Sequence, residues 1–242
     1  MALIEFALTL PIFLGLGFYG VEVSHLAITQ MKMSQIALNM ADNASRIGSL
    51  DSNFSAKKIL ESQLNDVFQA ADIQGGSIDV FGQGRLVLSS LEVNADGGQV
   101  VQWQRCKGYL GKESAYGDEG DGKTGKGFLG MGPPAERIAA TPGNAVMFVE
   151  LYYEYEPLFG EMFMEHKILR QEAAYTVRDK RELGVAPGGD TSSARKSTCE
   201  KFDSTLPQTT DAEIGEAAKG CVKRPHKDHF HLDCPKAPKK KK

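Results

Sequence analysis

The residues best suited to chemistry lie near the carboxyl end of the chain. Three of the five histidines fall within residues 226–231, and the candidate ligands are Cys221, His226, Asp228, His229, His231, Asp233 and Cys234. Imidazole and thiolate are ligands that zinc and copper prefer. A disulfide between the two cysteines would remove both thiolates, however, and the prolines at 225 and 235 disfavour a regular scaffold. We therefore predict a disulfide-closed polar loop and no metal site, with His226, His229 and His231 as the ligands of the alternative.

Two further motifs resemble binding sites without completing them. Residues 120–126 read Gly-Asp-Gly-Lys-Thr-Gly-Lys, but Gly127 stands where a phosphate-binding loop requires Ser or Thr, and no strand is predicted before it or helix after it. The acidic residues Asp118, Glu119 and Asp121 lack the spacing of an EF-hand loop. No motif for a Ser or Cys nucleophile is present. The sequence predicts neither an enzyme nor a cofactor.

The four cysteines are not arranged as Cys-x-x-Cys pairs; they are Cys106, Cys199, Cys221 and Cys234. An even number of cysteines in a chain anchored by its N-terminus predicts one or two disulfides in an oxidising compartment. Four cysteines allow three full pairings, and the sequence does not choose among them. We favour Cys106–Cys199 with Cys221–Cys234.

The N-terminal segment is apolar except for one carboxylate. Residues 1–21 hold a single charge, that of Glu5, and no Lys or Arg precedes Lys32. Twenty helical residues span roughly 30 Å, the hydrocarbon thickness of a bilayer, so the segment predicts a transmembrane helix rather than a secretory signal. A carboxylate inside hydrocarbon is costly unless it is paired or neutralised. Two interpretations follow: Glu5 lies at the headgroup level without a role, or it pairs with the α-amino group of a neighbouring helix.

The start of the chain resembles a known family. Residues 1–11, Met-Ala-Leu-Ile-Glu-Phe-Ala-Leu-Thr-Leu-Pro, resemble the mature start of the type IV pilin superfamily, whose fifth residue is glutamate. A closer similarity is to the TadE-like family, the minor pseudopilins of the bacterial tight-adherence (Tad, or Flp) pilus. It rests on Glu5-Phe6-Ala7-Leu8, on Leu10-Pro11 and on the Gly-rich stretch to Glu22. Shorter resemblances lie at Val101-Gln102-Trp103, Thr141-Pro142-Gly143 and Tyr155-Glu156-Pro157-Leu158. The resemblance covers residues 1–183 and departs in a long insertion at 106–140 and in the tail after Gly184.

The resemblance implies an assembly role for Met1, Glu5, Phe6 and Pro11. Met1 would be the first residue after a prepilin peptidase removes a leader, and Glu5 would pair with the N-terminal amine of an adjacent subunit. Pro11 lacks an amide N–H, so it should kink the helix near Leu8.

The implied function is that of a minor pilin or pseudopilin subunit of a Tad (type IVc) pilus. Its partners would be other pilin subunits, the pilus assembly machinery and the inner membrane, with the domain in the periplasm and at the cell surface after assembly. Two alternatives stay open: a minor pseudopilin of a type II secretion system, and a membrane-tethered periplasmic binding protein or hydrolase.

The elements that would carry these residues follow from periodicity. After residue 22 apolar residues continue at helical spacing, at Leu26, Met33, Ile36, Met40, Ala44 and Ile47, and Gly48 is a suitable stop. A second helix is predicted over residues 55–71, capped by Asp51, Ser52 or Asn53. Alternating patterns predict strands at residues 77–81, 85–94, 100–105, 146–155 and 168–177. We expect an α+β fold with a long N-terminal helix, a short second helix, an antiparallel sheet and a poorly ordered tail.

The chain therefore divides into four parts. Residues 1–22 form the membrane or filament helix, 23–48 an amphipathic spine and 49–183 a periplasmic pilin-like domain, in which the Gly-rich insertion at 106–140 is expected to be a mobile loop. Residues 184–242 form a Cys- and Lys-rich tail. Residues 195–242 carry 12 Lys and Arg against 7 Asp and Glu, and the rest carries 16 against 24. Because no basic field covers the predicted domain, nucleic acid is not expected as a partner.

Overall fold

The structure is a computed structural model that describes residues 2–48, 56–160, 164–188, 196–203, 222–226 and 229–233. Residues 2, 3, 222–226 and 229–233 are described as backbone alone. Within these ranges the chain forms two helices, α1 (Ala2–Arg46) and α2 (Glu61–Gly75), and six strands: β1 (Gly84–Val93), β2 (Gln99–Lys107), β3 (Val146–Tyr155), β4 (Lys167–Thr176), β5 (Val222–His226) and β6 (His229–Asp233). This is the predicted α+β fold.

The second half of α1 packs against the sheet as predicted. The helix is continuous over 45 residues, a length of roughly 68 Å. Its buried side chains recur at helical spacing and lie in the main core: Met33, Ile36, Ala37, Met40, Ala41 and Ala44. Gly48 has a φ of 131°, a conformation that side-chain-bearing residues rarely adopt, which explains why the helix stops here.

A buried arginine closes the end of α1. The Arg181 guanidinium donates hydrogen bonds to the carbonyl oxygens of Ala44 at 3.3 Å, Ser45 at 3.2 Å and Ile47 at 2.6 Å. The last carbonyls of a helix have no partner within the helix, so these bonds satisfy groups that burial would otherwise leave unpaired. Burial lowers the pKa of Arg181 to about 10, although Asp179 and Glu92 oppose the shift.

Strands β1 to β4 form one antiparallel sheet in the order β2-β1-β3-β4. Helices α1 and α2 cover its first face, and α1 contacts β3, β4 and α2. The single tryptophan, Trp103, lies on this face and is 1% exposed. On β3 the predicted alternation holds, because Val149, Leu151, Tyr153 and Tyr155 face the main core.

Two local predictions are wrong. Helix α2 begins at Glu61 rather than at residue 55, and the proposed caps at 51–53 lie outside the described residues. Residues 77–81 form turns instead of a strand; Asp79 has a φ of 43° and its carboxylate accepts a hydrogen bond from the Gly82 amide at 3.0 Å. Ile78 and Val80 are buried even though they lie in a turn. Their alternating apolar pattern therefore marks buried side chains and not a paired strand.

The Gly-rich insertion covers the second face of the sheet. After β2 ends at Lys107 it forms neither a helix nor a strand. Asn94 nevertheless donates to the carbonyls of Gly122 and Gly125, both at 2.7 Å, and the side-chain amide of Gln99 bonds both backbone groups of Ala140. Its apolar residues join a second core beneath it, which includes Leu91, Val101, Met131, Ala140, Val146 and Phe148. These contacts hold the segment against the sheet, in contrast to the mobile loop that its composition predicts.

The tail segment 196–203 covers the outer edge of β2. Cys106 and Cys199 form a disulfide with a Cα–Cα distance of 4.6 Å, which confirms this part of the predicted pairing. The amides of Cys106 and Gly108 donate to the carbonyls of Ser197 and Asp203 at 2.8 and 2.9 Å. A pairing segment of this kind protects an edge strand from other chains. Cys221 and Cys234 lie outside the described residues.

The histidine-rich segment forms a hairpin. Strands β5 and β6 pair antiparallel and are separated by positions 227 and 228. The prolines were expected to disfavour a regular scaffold, and this expectation is wrong here.

Candidate assembly helix and its junction with the head domain

The first half of α1 carries apolar side chains that contact almost nothing in the chain. Phe6 is 60% exposed and Phe13 is 70% exposed, and neighbouring residues are similar: Ile4, Leu8, Ile12, Leu16 and Tyr19. Among the described residues, α1 is the one helix that is long and apolar enough to cross a membrane, judged by length and composition. This agrees with the predicted transmembrane helix.

Glu5 lies in the first turn of α1, where a negative charge is favoured by the partial positive charge of a helix N-terminus. Its side chain is exposed, and the ion pairs of the described residues do not include it. The Thr9 hydroxyl donates to the Glu5 carbonyl at 3.0 Å. Pro11 lies inside the continuous helix, and its expected kink stays a prediction; Met1 lies outside the described residues.

A second carboxylate, that of Glu22, joins α1 to residues 56–160, 164–188 and 196–203, which we call the head domain. Glu22 is fully buried. It accepts hydrogen bonds from the Tyr155 hydroxyl at 2.5 Å and from the amides of Leu158 and Phe159 at 3.3 and 3.2 Å. Hydrogen bonds to a charged acceptor are stronger than neutral ones, and the short bond from Tyr155 with the two longer amide bonds compensates for burying the charge.

Two of the residues that bind this carboxylate, Tyr155 and Phe159, also contact rings of α1. His25 Nδ1 lies 3.0 Å from the Tyr155 hydroxyl, and the Phe18 and Phe159 rings are 4.9 Å apart between centroids. We call Glu22, His25, Tyr155, Leu158 and Phe159 the junction cluster. Burial raises the pKa of Tyr155, and the neighbouring Glu22 raises it further, so the phenol stays protonated and remains a donor.

The junction cluster accounts for two features of the sequence. The Tyr155-Glu156-Pro157-Leu158 stretch supplies the donors, and Glu22, at the end of the apolar run, supplies the acceptor. Sequence reasoning missed this pairing because 133 residues separate the two groups. The one available signal was a second acidic residue placed immediately after an otherwise uncharged segment.

A buried arginine holds the tail on the opposite face of the sheet. Arg85 donates to the carbonyls of Gly108 at 2.9 Å, Lys201 at 2.7 Å and Cys199 at 2.6 Å, and its guanidinium lies 4.2 Å from the centroid of the Phe202 ring. Burial lowers the pKa of Arg85 to about 10, against the opposing charges of Asp203 and Glu113. Arg85 and the Cys106–Cys199 disulfide together fix the tail segment over β1 and β2.

A cavity of about 510 Å³ opens beside this disulfide. Its lining includes the cation Arg85 and four carboxylates: Glu113, Asp118, Glu119 and Glu200. Asp118 is exposed, but partial desolvation raises its pKa, and the charges of Glu113, Asp121 and Glu150 raise it further. Ser114, which also lines the cavity, donates to the buried Glu150 at 2.5 Å.

The residues of the incomplete motifs have structural partners. Glu119 accepts from Arg105 and from the Gln104 amide, both at 2.9 Å, and Arg105 also pairs with the buried Glu61 of α2. The Gly120 amide donates to the Val101 carbonyl at 2.8 Å. Over the residues with described side chains, no group of three or more His, Cys, Asp and Glu could hold a metal ion.

The structure thus brings together only part of the predicted site. Cys106 and Cys199 meet, whereas Glu5, Phe6 and Pro11 lie along a helix segment that extends away from the core. His226, His229 and His231 lie on the β5–β6 hairpin. Comparisons of the chain with protein-family models, curated proteins and solved structures found no match.

Proposed function

We propose that this protein is a minor pilin or pseudopilin subunit of a bacterial Tad pilus that assembles through its N-terminal helix. One observation carries the proposal: α1 is a single helix with two environments. Its second half lies in the main core, and its first half exposes apolar side chains. Each fully buried large apolar side chain contributes about 1.5–3 kcal/mol relative to water, so this first half requires a bilayer or other helices around it.

The joints between α1 and the head domain support a role in assembly. Arg181 bonds the C-terminal end of α1, and the junction cluster bonds its middle. A helix held at two points moves with its domain as one body. A subunit that leaves the membrane for a filament needs this property, whereas a simple tether to the membrane does not.

Glu5 is the residue that we propose sets the position of the helix among its neighbours. In a bilayer its carboxylate is unfavourable unless paired, and the structure gives it no partner among the described residues. In a filament, the N-terminal amine of an adjacent subunit would supply the missing charge. That pairing would favour one axial register over the others.

The test is the variant Glu5→Ala, produced in piliated cells. We expect the variant to remain in the inner membrane but to be lost from filaments sheared off the cells and probed by immunoblot. Asp42→Asn is the matched control, because Asp42 is an acidic residue of the same helix whose partner Arg46 lies within the chain. Normal incorporation of Glu5→Ala would refute the role of Glu5 in register.

A type II secretion pseudopilin would use the same helix, and the genes adjacent to this one distinguish it from a pilus subunit. The 510 Å³ cavity favours a second class, a membrane-tethered periplasmic binding protein. N-terminal sequencing of the protein from membranes separates the classes. Cleavage of a precursor immediately before Met1 supports the pilin, and a retained initiator methionine supports the tethered protein.

A further inference from the structure

The β5–β6 hairpin arranges the histidines of the tail in a way that the linear sequence does not reveal. Its register pairs His226 with His229, and Arg224 with His231. Directly paired residues of antiparallel strands belong to the same face of a sheet, and so do residues two apart along one strand. His226, His229 and His231 therefore fall on one face. Three of the five histidines of the chain thus share a single hairpin face.

The backbone accommodates the proline that argued against a regular scaffold. Only positions 227 and 228 separate the two strands, and in such a hairpin the pair next to the turn exchanges both hydrogen bonds while the next pair exchanges none. Pro225 pairs with Phe230 at this second position, where no amide N–H is needed. The hairpin therefore tolerates Pro225 without losing a ladder hydrogen bond.

We propose that His226, His229 and His231 form a zinc site on this face of the hairpin. Cross-strand neighbours have Cβ atoms about 4.5–5.5 Å apart, and residues two apart on a strand are separated by about 6.8 Å, so the three positions cluster around one point. Zinc takes imidazole nitrogen at about 2.0–2.1 Å, and three histidines leave a fourth position for water or another ligand.

The rest of the face does not oppose a cation. Its other charged residues are Arg224 and Asp233, which carry opposite charges. Arg224 pairs with His231, and Asp233 lies two residues farther along β6. The opposite face carries Lys223, Pro225, Phe230 and Leu232, none of which is a zinc ligand.

The site does not depend on thiolates. Cys221 directly precedes β5 and Cys234 directly follows β6, so the disulfide proposed between them would close the hairpin and leave the imidazoles as the ligands. A covalent closure of this kind favours binding because it reduces the freedom lost when the metal binds. The zinc site also stands independently of the pilus proposal, since it involves no residue of α1.

The experiment uses the full chain in detergent micelles, freed of metal with a chelator, oxidised, and titrated with zinc chloride in a calorimeter. We expect one zinc ion per chain with a Kd of about 1 µM or tighter. His226→Ala, His229→Ala and His231→Ala should each weaken binding by at least about tenfold. His166→Ala is the matched control, because His166 lies before β4 in the head domain, and it should bind zinc as the wild type does.

A register variant separates the hairpin site from a flexible histidine-rich tail. The double change His231→Leu with Leu232→His keeps the histidine count and moves one histidine to the opposite face. We expect the same loss as for His231→Ala, together with loss of the visible absorption that tetrahedral cobalt gives when it replaces zinc. Circular dichroism before and after the change checks that the head domain stays folded.

Three results would overturn the site. One is wild-type affinity in the register variant, since an unstructured tail would also give it. Another is equal weakening by His166→Ala. The third is zinc binding that requires reductant and disappears in the double change Cys221→Ser with Cys234→Ser, which would assign the metal to thiolates.

Discussion

Tyr155→Phe is the sharpest probe of the junction cluster, because it removes one oxygen atom and leaves the ring in place. The hydroxyl donates to Glu22 at 2.5 Å and lies 3.0 Å from His25 Nδ1. Without it, the fully buried carboxylate keeps only the amides of Leu158 and Phe159, at 3.3 and 3.2 Å.

The expected cost follows from the type of bond. A hydrogen bond to a charged group contributes about 1.5–3 kcal/mol, and a buried group left unsatisfied adds to the loss. We expect Tyr155→Phe to lower the free energy of unfolding by about 2–3 kcal/mol, which for a domain of this size lowers the Tm by roughly 5–10 °C. Glu22→Gln, which removes the charge, should cost about 1–2 kcal/mol.

The assay is urea unfolding in micelles followed by tryptophan fluorescence. Trp103 is the single tryptophan and is 1% exposed on the core face of β2, so its signal reports the head domain and not the membrane helix. Tyr153→Phe is the matched control, since Tyr153 lies on the same face of β3 but is not a donor to Glu22; we expect a change below about 0.5 kcal/mol.

The double variant decides whether the two groups act on each other. If they do, Glu22→Gln with Tyr155→Phe should cost about 1–2 kcal/mol less than the sum of the single changes. Additive single changes, or a Tyr155→Phe effect no larger than that of Tyr153→Phe, would refute the assignment of this bond as the joint between α1 and the head domain.

Three further changes test other parts of the account. Arg181→Met should lower the free energy of unfolding by about 3 kcal/mol, because it leaves the last carbonyls of α1 without donors. The control Arg178→Met, at an exposed position, should lower it by less than about 0.5 kcal/mol. The double change Cys106→Ser with Cys199→Ser removes a disulfide that links residues 93 positions apart and should lower the free energy of unfolding by about 4 kcal/mol. Reductant should destabilise the wild type but not this variant. The control is the double change Cys221→Ser with Cys234→Ser. The raised pKa of Asp118 means that its ionised form is disfavoured in the folded state, so its cost is present near neutral pH and vanishes as pH falls below its unfolded value of 3.8. Asp118→Asn should therefore raise the Tm near neutral pH and leave it unchanged below about pH 3, and an equal effect at both would contradict the shift.

Features with a local physical cause could be predicted from the sequence. The buried face of α1 follows from apolar residues at helical spacing, and β3 runs over the predicted residues because its alternating side chains meet a core on each face. The Gly48 stop follows from a backbone conformation that glycine adopts most easily. The disulfide between Cys106 and Cys199 was one of several open pairings, and the fold selects it by pairing the tail with β2.

Features that depend on distant partners could not be predicted. Nothing near Glu22 indicates Tyr155, and nothing near Arg85 or Arg181 indicates the carbonyls that these guanidinium groups bind. The ordering of the insertion depends on Asn94, a residue of the preceding turn, so its glycine content alone gave the wrong expectation. The same reasoning applies to the hairpin, where facial placement of the histidines depends on register and not on composition.

Photo-crosslinking tests the proposed assembly helix most directly. A photoreactive phenylalanine analogue at position 13, in place of a side chain that is 70% exposed on α1, would be irradiated in piliated cells. The matched position is Ile73 of α2, which is 73% exposed on the head domain. In sheared filaments we expect covalent adducts between position 13 and the N-terminal helix of another pilin subunit, and far weaker adducts from position 73. Adducts from position 13 with lipid alone, in cells that carry pili, would contradict the assembly role of α1.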